Sequence, residues 1–269
     1  MEEISVSLSK PGTFLLDNIT FKQTPYWFDN IVKDLHMSVI QPWGEPGRPW
    51  PVIVWVCGGG WRTMDRSAWL SELAWFAWHG WAVASPEYRT VNEKPFPASL
   101  RDIKSAIRYL RANAGRYGFD ANRIAVMGES AGGHLAALTG ITAGRAEFDD
   151  GDFPGISDSV NAVVDWYGPV SEAFLSEHRH DEAASLEEKS TLPLSPLSYL
   201  GDNIPPFCIL HGTEDRIVPI AESRLFHEAL AKRGVAARFY AIRGAGHATQ
   251  EFHQEDVKQL ILNFLEETV

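Results

Sequence analysis

The chain has 269 residues, of which 45% are hydrophobic and 22% charged, and a formal net charge of -11 at pH 7. That profile is that of a globular protein with a large core. The acidic balance repels phosphate backbones and excludes nucleic acid as an expected partner. Both cysteines, Cys57 and Cys208, sit in apolar runs and read as buried, reduced thiols rather than a disulfide framework. The N-terminal MEEISVSLSKPG is acidic and lacks the apolar stretch of a signal peptide, and no run reaches transmembrane length. A cytoplasmic location and no membrane partner are therefore expected.

In chain order, residues 13–41 read as antiparallel strands, in FLLDNITFKQ and KDLHMSVIQP, followed by the turn-rich QPWGEPGRPWP. Residues 52–57 (VIVWVC) are apolar on both faces, as in a strand buried in a parallel sheet. An aromatic-rich helix and a strand in WAVASPEYR come next. FPASLRDIKSAIRYLRANAGRYG reads as one amphipathic helix, with Leu100, Ile103, Ile107 and Leu110 at three-four spacing. RIAVMG is a strand and HLAALTGI a helix; VNAVVDWYG, PPFCILHG and ARFYAIRG are further strands. EDVKQLILNFLEE closes the chain as a helix with Val257, Leu260, Ile261 and Phe264 on one face. Alternating strands and helices predict an α/β fold, with a mostly parallel central sheet and helices on both faces. Residues 171–200 are polar and too long for a simple connection. They are expected to be a small cap inserted into a single domain spanning 1–269.

The stretch Gly128, Glu129, Ser130, Ala131, Gly132 matches G-x-S-x-G between a strand and a helix, the setting of a nucleophile elbow. A serine hydroxyl needs a base. His247, in the small-residue loop RGAGHAT after the last strand, is the candidate; His134, His211 and His253 read as structural. The base needs an orienting acid, and HGTEDRIVP offers Asp215, with Glu214 as fallback. The glycines of CGGGW follow the first buried strand and leave backbone N–H groups free. Gly59, Gly60 and Ala131 are the candidate oxyanion donors. Cys57 has no base of its own and is not expected to be a nucleophile.

At these residues the sequence resembles the α/β-hydrolase superfamily, in the esterase branch related to hormone-sensitive lipase that carries HGGGW and GxSAGG. Within that branch it resembles the bifunctional feruloyl and acetyl xylan esterases. The likeness runs from about KDLHMSVIQP to the end and includes PEYR, GESAGG, DWYGPV, SPLSYL and HGTEDRIVP. One residue departs from the pattern: Cys57 stands where the family's oxyanion loop begins with histidine. The backbone donors survive that change, but the loop must be held by other contacts.

The resemblance implies an α/β-hydrolase fold and a serine carboxylesterase. It would release acetyl or feruloyl groups from plant carbohydrates such as xylo-oligosaccharides through an acyl-enzyme. An arylformamidase-type amidohydrolase or a general small-ester carboxylesterase is the alternative. Trp61, beside the oxyanion loop, and Trp166, after a strand end, are expected to line the substrate pocket. No cofactor is expected, and no metal, since His178 and His180 in the cap lack an evident third ligand. The expected partner is a small-molecule or oligosaccharide ester, with a homodimer left open.

Overall fold

The computed structural model describes residues 1–7, 11–26, 31–44, 47–178 and 190–269. Among them, eight strands form one sheet: β1 (Thr13–Tyr26), β2 (Ile31–Pro42), β3 (Trp50–Val56), β4 (Ala82–Pro86), β5 (Phe119–Glu129), β6 (Ala162–Trp166), β7 (Phe207–Gly212) and β8 (Ala237–Ile242). Their spatial order is β1-β2-β4-β3-β5-β6-β7-β8. β2 pairs antiparallel with both β1 and β4, and every other pairing is parallel. The central strands carry unbroken apolar runs because both of their faces are covered: residues 52–56 have no solvent exposure.

The helices are α1 (Leu70–Trp78), α2 (Ala98–Ala112), α3 (Ala114–Tyr117), α4 (Ala131–Ile141), α5 (Glu172–His178), α6 (Ala221–Lys232) and α7 (Glu255–Thr268). Strand order and handedness assign them to faces. The step from β3 to β4 runs one way along the sheet, and the steps from β4 to β5 and onward run the other way. Right-handed crossovers then place α1 on one face and α2, α4 and α6 on the opposite one. Packing agrees: α1 touches α7, and α2 touches α4. Neighbouring strands β3 and β5 send their following loops to opposite faces. That opens a crevice at their C-terminal ends, where ligands bind in open α/β sheets.

Two elements depart from the sequence expectation. The single helix expected from Phe96 to Gly118 is broken at Asn113, whose φ of -106° and ψ of 13° leave the helical region. Its side-chain amide donates to the Tyr109 carbonyl at 2.9 Å, capping α2 from within. The second departure is α6, in a stretch for which no helix was expected. It buries Phe226 and Leu230.

Part of the expected cap, residues 179–189 with His180, lies outside the described residues. Its flanks are tied to the body. Glu222 of α6 accepts from the backbone N–H groups of Val170 and Ser171, at 2.8 and 2.7 Å. Ser195 Oγ donates to the Val170 carbonyl, and the Ser195 N–H donates to Glu172 at 3.0 Å.

Candidate active site

Ser130 stands between β5 and α4 with φ 52° and ψ -122°, a region that a side-chain-bearing residue occupies only under constraint. Two glycines allow the constraint. A Cβ on Gly132 would lie 2.0 Å from the Val56 carbonyl oxygen, and one on Gly128 would lie 2.4 Å from that of Gly132. Helix and strands therefore approach as closely as backbone permits. The Ser130 N–H is held by the Trp166 carbonyl at 2.8 Å.

The structure brings Ser130, His247 and Asp215 into one hydrogen-bonded line. His247 Nε2 is 2.9 Å from Ser130 Oγ, and His247 Nδ1 is 2.7 Å from Asp215 Oδ2. An ionised carboxylate only accepts, so the hydrogen is on Nδ1 and the free lone pair of Nε2 faces the serine hydroxyl. Burial pushes the Asp215 carboxyl up. Hydrogen bonds from His211, His247 and the N–H groups of Ile217 and Val218 more than reverse this and hold it well below the usual carboxylate range. Glu214, the fallback acid, is exposed on the same loop.

His211, expected to be structural, is buried beside Asp215. Its Nε2 lies 2.9 Å from the Val218 carbonyl oxygen and 3.3 Å from Asp215 Oδ2. Its Nδ1 lies 2.7 Å from Ser223 Oγ. The carbonyl accepts a hydrogen from Nε2, and Nδ1 pairs with the serine hydroxyl. Tyr167 packs its ring against His247 with centroids 4.7 Å apart, and its hydroxyl donates to Glu129 Oε2 at 2.7 Å. Sequence reasoning missed Tyr167 and Glu129. Glu129 is an unspecified position of G-x-S-x-G, and Tyr167 carries no motif of its own.

The glycine loop rests on this elbow. A Cβ built on Gly58 would meet Ser130 Cβ at 3.2 Å and the Glu129 carbonyl oxygen at 3.0 Å. The Gly58 N–H points to Glu129 Oε1 at 3.4 Å. Gly59, at φ 128°, and Gly60, at φ 60°, are exposed at the turn. The Gly59 carbonyl accepts from the N–H groups of Arg62 and Thr63, both at 3.1 Å. Ala131 is the first residue of α4, where an N–H has no partner within the helix. At position 57, where the sequence has cysteine, the backbone carbonyl accepts from the Tyr88 hydroxyl at 2.8 Å. The Cys57 thiol is buried, which pushes its pKa up to about 12 and keeps it protonated.

The two tryptophans expected to line the pocket are core residues. Trp61 is 5% exposed and Trp166 1%. The Trp61 indole N–H donates to His134 Nδ1 at 3.2 Å, and His134 Nε2 in turn faces the Leu194 carbonyl at 2.9 Å. Trp166 meets Trp55 edge-on at 5.4 Å. A sugar platform needs an open aromatic face, and burial closes both of these. Among the described residues no cluster of three or more metal-ligating side chains occurs, and no helix is long and apolar enough to cross a membrane.

Comparison with known proteins agrees with this architecture. The chain is 34% identical over 219 residues to Esterase LipC of Mycobacterium tuberculosis, covering 75% of this chain and 54% of LipC. It spans about half the length of the curated relatives it matches first. A truncated carbohydrate esterase from gut microbiota shares the fold, with a TM-score of 0.79 over 97% of this chain and 98% of the other, at 24% identity. The propionate-bound Est2 esterase of the planctomycete Thermogutta terrifontis superposes with a TM-score of 0.75 at 28% identity, covering 96% of this chain and 93% of Est2. The BD-FAE family model matches residues 39–230, well over half of the chain. The chain belongs to the BD-FAE family and has the α/β-hydrolase fold.

Proposed function

We propose that the chain is a serine carboxylesterase with Ser130 as nucleophile, His247 as general base and acid, and Asp215 as the orienting acid. The N–H groups of Gly59, Gly60 and Ala131 form the oxyanion hole. The observation that carries this reading is the line from Ser130 Oγ through His247 to Asp215 Oδ2, with contacts of 2.9 and 2.7 Å.

In the first half-reaction His247 Nε2 takes the proton from Ser130 Oγ as that oxygen attacks the ester carbonyl carbon. The carbonyl oxygen becomes an oxyanion and is held by the three N–H groups. The bond to the alcohol oxygen breaks, and the proton on Nε2 passes to the leaving alcohol. Water then attacks the acyl-enzyme, giving its proton to His247. The acid departs as Ser130 Oγ recovers a proton from Nε2. Asp215 holds the imidazole in one tautomer and stabilises its charged form throughout. No step calls for a metal or cofactor.

For the substrate we propose an acetyl or feruloyl ester of a plant carbohydrate such as a xylo-oligosaccharide, on the strength of the family. The domain reading belongs to the same proposal: one α/β-hydrolase domain with a cap at about 171–200. A second reading, a small-ester carboxylesterase without sugar specificity, is favoured by the burial of Trp61 and Trp166, which removes the two expected stacking faces.

Acetate release from acetylated xylo-oligosaccharides, with Ser130→Ala protein as the blank, tests both parts. Release by the wild type alone supports the serine mechanism and the carbohydrate substrate. Turnover of p-nitrophenyl acetate without release from the oligosaccharide favours the second reading, and turnover of N-formylkynurenine alone would move the assignment to an amidohydrolase. Equal release by both proteins overturns the nucleophile.

A further inference from the structure

Glu129 precedes the candidate nucleophile, is 7% exposed, and receives donors from three separate elements. Oε1 accepts from the indole N–H of Trp69 at 2.8 Å and lies 3.4 Å from the N–H of Gly58 in the glycine loop. Oε2 accepts from the hydroxyl of Tyr167, after β6, at 2.7 Å. All three donors are neutral groups.

Each donor leads to a different part of the site. Gly58 begins the turn that presents Gly59 and Gly60. The ring of Tyr167 packs against His247. Trp69 stacks on His253 with centroids 4.3 Å apart, and His253 ends the short 3-10 turn, Gln250–His253, that follows the His247 loop. The backbone of Glu129 is continuous with Ser130, so one residue touches the supports of nucleophile, oxyanion loop and base.

We propose that Glu129 is a positioning residue that locks the oxyanion loop and the support of His247 to the nucleophile elbow. The inference rests on the serine-hydrolase reading above and deepens it. Glu129 need not touch substrate. Its carboxylate fixes where Gly58 and Tyr167 sit relative to Ser130, and displacements of under an ångström in such supports are felt in turnover. Buried acceptors that gather several donors act as a network, and losing the shared acceptor leaves all the donors unpaired together.

The role predicts a pattern that a merely structural residue would not give. With p-nitrophenyl acetate as probe, Glu129→Ala lowers kcat by about 100-fold, comparable to losing an oxyanion donor, while KM changes far less. Glu129→Gln recovers most of that loss, because its amide oxygen still accepts from Trp69 and Gly58 and the Tyr167 hydroxyl can turn to accept from the amide nitrogen. Tyr167→Phe keeps the ring but cuts one link and lowers kcat roughly tenfold, and it adds no further loss in the Glu129→Ala background. Melting temperatures measured alongside separate folding from turnover.

A Glu129→Ala protein with kcat within about twofold of wild type overturns the proposal, as does a Glu129→Gln protein as slow as the alanine variant. If Glu129→Ala does not fold, Tyr167→Phe and Trp69→Phe decide, and normal kcat in both overturns it. Activity surviving in Ser130→Ala would instead sink the serine reading itself. Loss in Ser130→Ala with normal kcat in Glu129→Ala removes the positioning role alone.

Discussion

The hydroxyl of Tyr88 donates to the carbonyl oxygen of Cys57 at 2.8 Å, fixing the residue at which β3 gives way to the glycine loop. Both residues are buried. Further along, the Val91 N–H donates to the Trp61 carbonyl at 2.9 Å. The segment after β4 therefore grips the loop at both ends.

Tyr88→Phe is expected to cost about 1–3 kcal/mol of stability, because it leaves a buried carbonyl unpaired. It should also lower kcat roughly tenfold, less than outright loss of an oxyanion donor would. Urea denaturation and steady-state kinetics on a small ester read the two effects. A full stability loss with unchanged kcat would show that the loop's geometry does not depend on this bond.

A second prediction concerns His211. The folded-state pKa of Asp215 is depressed, so its contribution to stability is present above the unfolded value of about 3.9 and is lost as pH falls through the folded value. His211→Ala removes one of the hydrogen bonds that hold the carboxyl down. The contribution shrinks and is lost at higher pH, so the acid-unfolding midpoint should move upward. The same variant should lower kcat roughly tenfold, well short of the ~10⁴ expected for Asp215→Asn, which in the proposed triad would put the wrong tautomer on His247. An unmoved midpoint would mean that His211 supports only the Ser223 side of its pocket.

The strand run 52–56, the elbow, His247 and Asp215 were legible because each has a local signature. An apolar run marks a doubly covered strand, glycines at fixed spacing mark a turn, and a histidine in a small-residue loop after the last strand marks a candidate base. Tyr88, Glu129 and Tyr167 were not legible. Their significance lies in pairings across 31 and 38 residues, and no local pattern records which distant group a side chain meets. α6 carries only a short form of the spacing that identifies α2, with Phe226 and Leu230 four apart. The tryptophans misled for a physical reason: a large ring with one polar atom suits a core as well as a sugar platform, and only the partner of that atom decides.

For Trp61 the partner is His134. Trp61→Phe removes the N–H that His134 Nδ1 accepts, and should cost about 1–3 kcal/mol of stability. Its kinetic effect should fall on kcat through the neighbouring loop, with KM for oligosaccharide and for simple aryl esters changing alike. A KM rise confined to the oligosaccharide would restore the stacking role that burial argues against.

Asp165 gives a pH dependence of the opposite sign. Its side chain is fully buried at the end of β6, where Oδ1 accepts from the Gly168 N–H at 2.9 Å and Oδ2 has no hydrogen-bond partner among the described residues. Burial pushes its pKa up to about 7, against the Gly168 hydrogen bond and the charge of His211. A carboxyl with a raised folded-state pKa contributes stability that is fully present below its unfolded value of about 3.9 and is lost as pH rises through the folded value. Between those limits the folded state holds a proton that the unfolded chain has released, so stability falls by up to about 1.4 kcal/mol per pH unit. Asp165→Asn keeps the oxygen that accepts from Gly168 and cannot ionise. Its stability relative to wild type should therefore grow from acid to neutral pH and level off above the folded-state value. Urea denaturation of both proteins at mildly acidic and mildly alkaline pH measures the change. A difference that stays flat across that range would show that Asp165 is not held as the neutral acid.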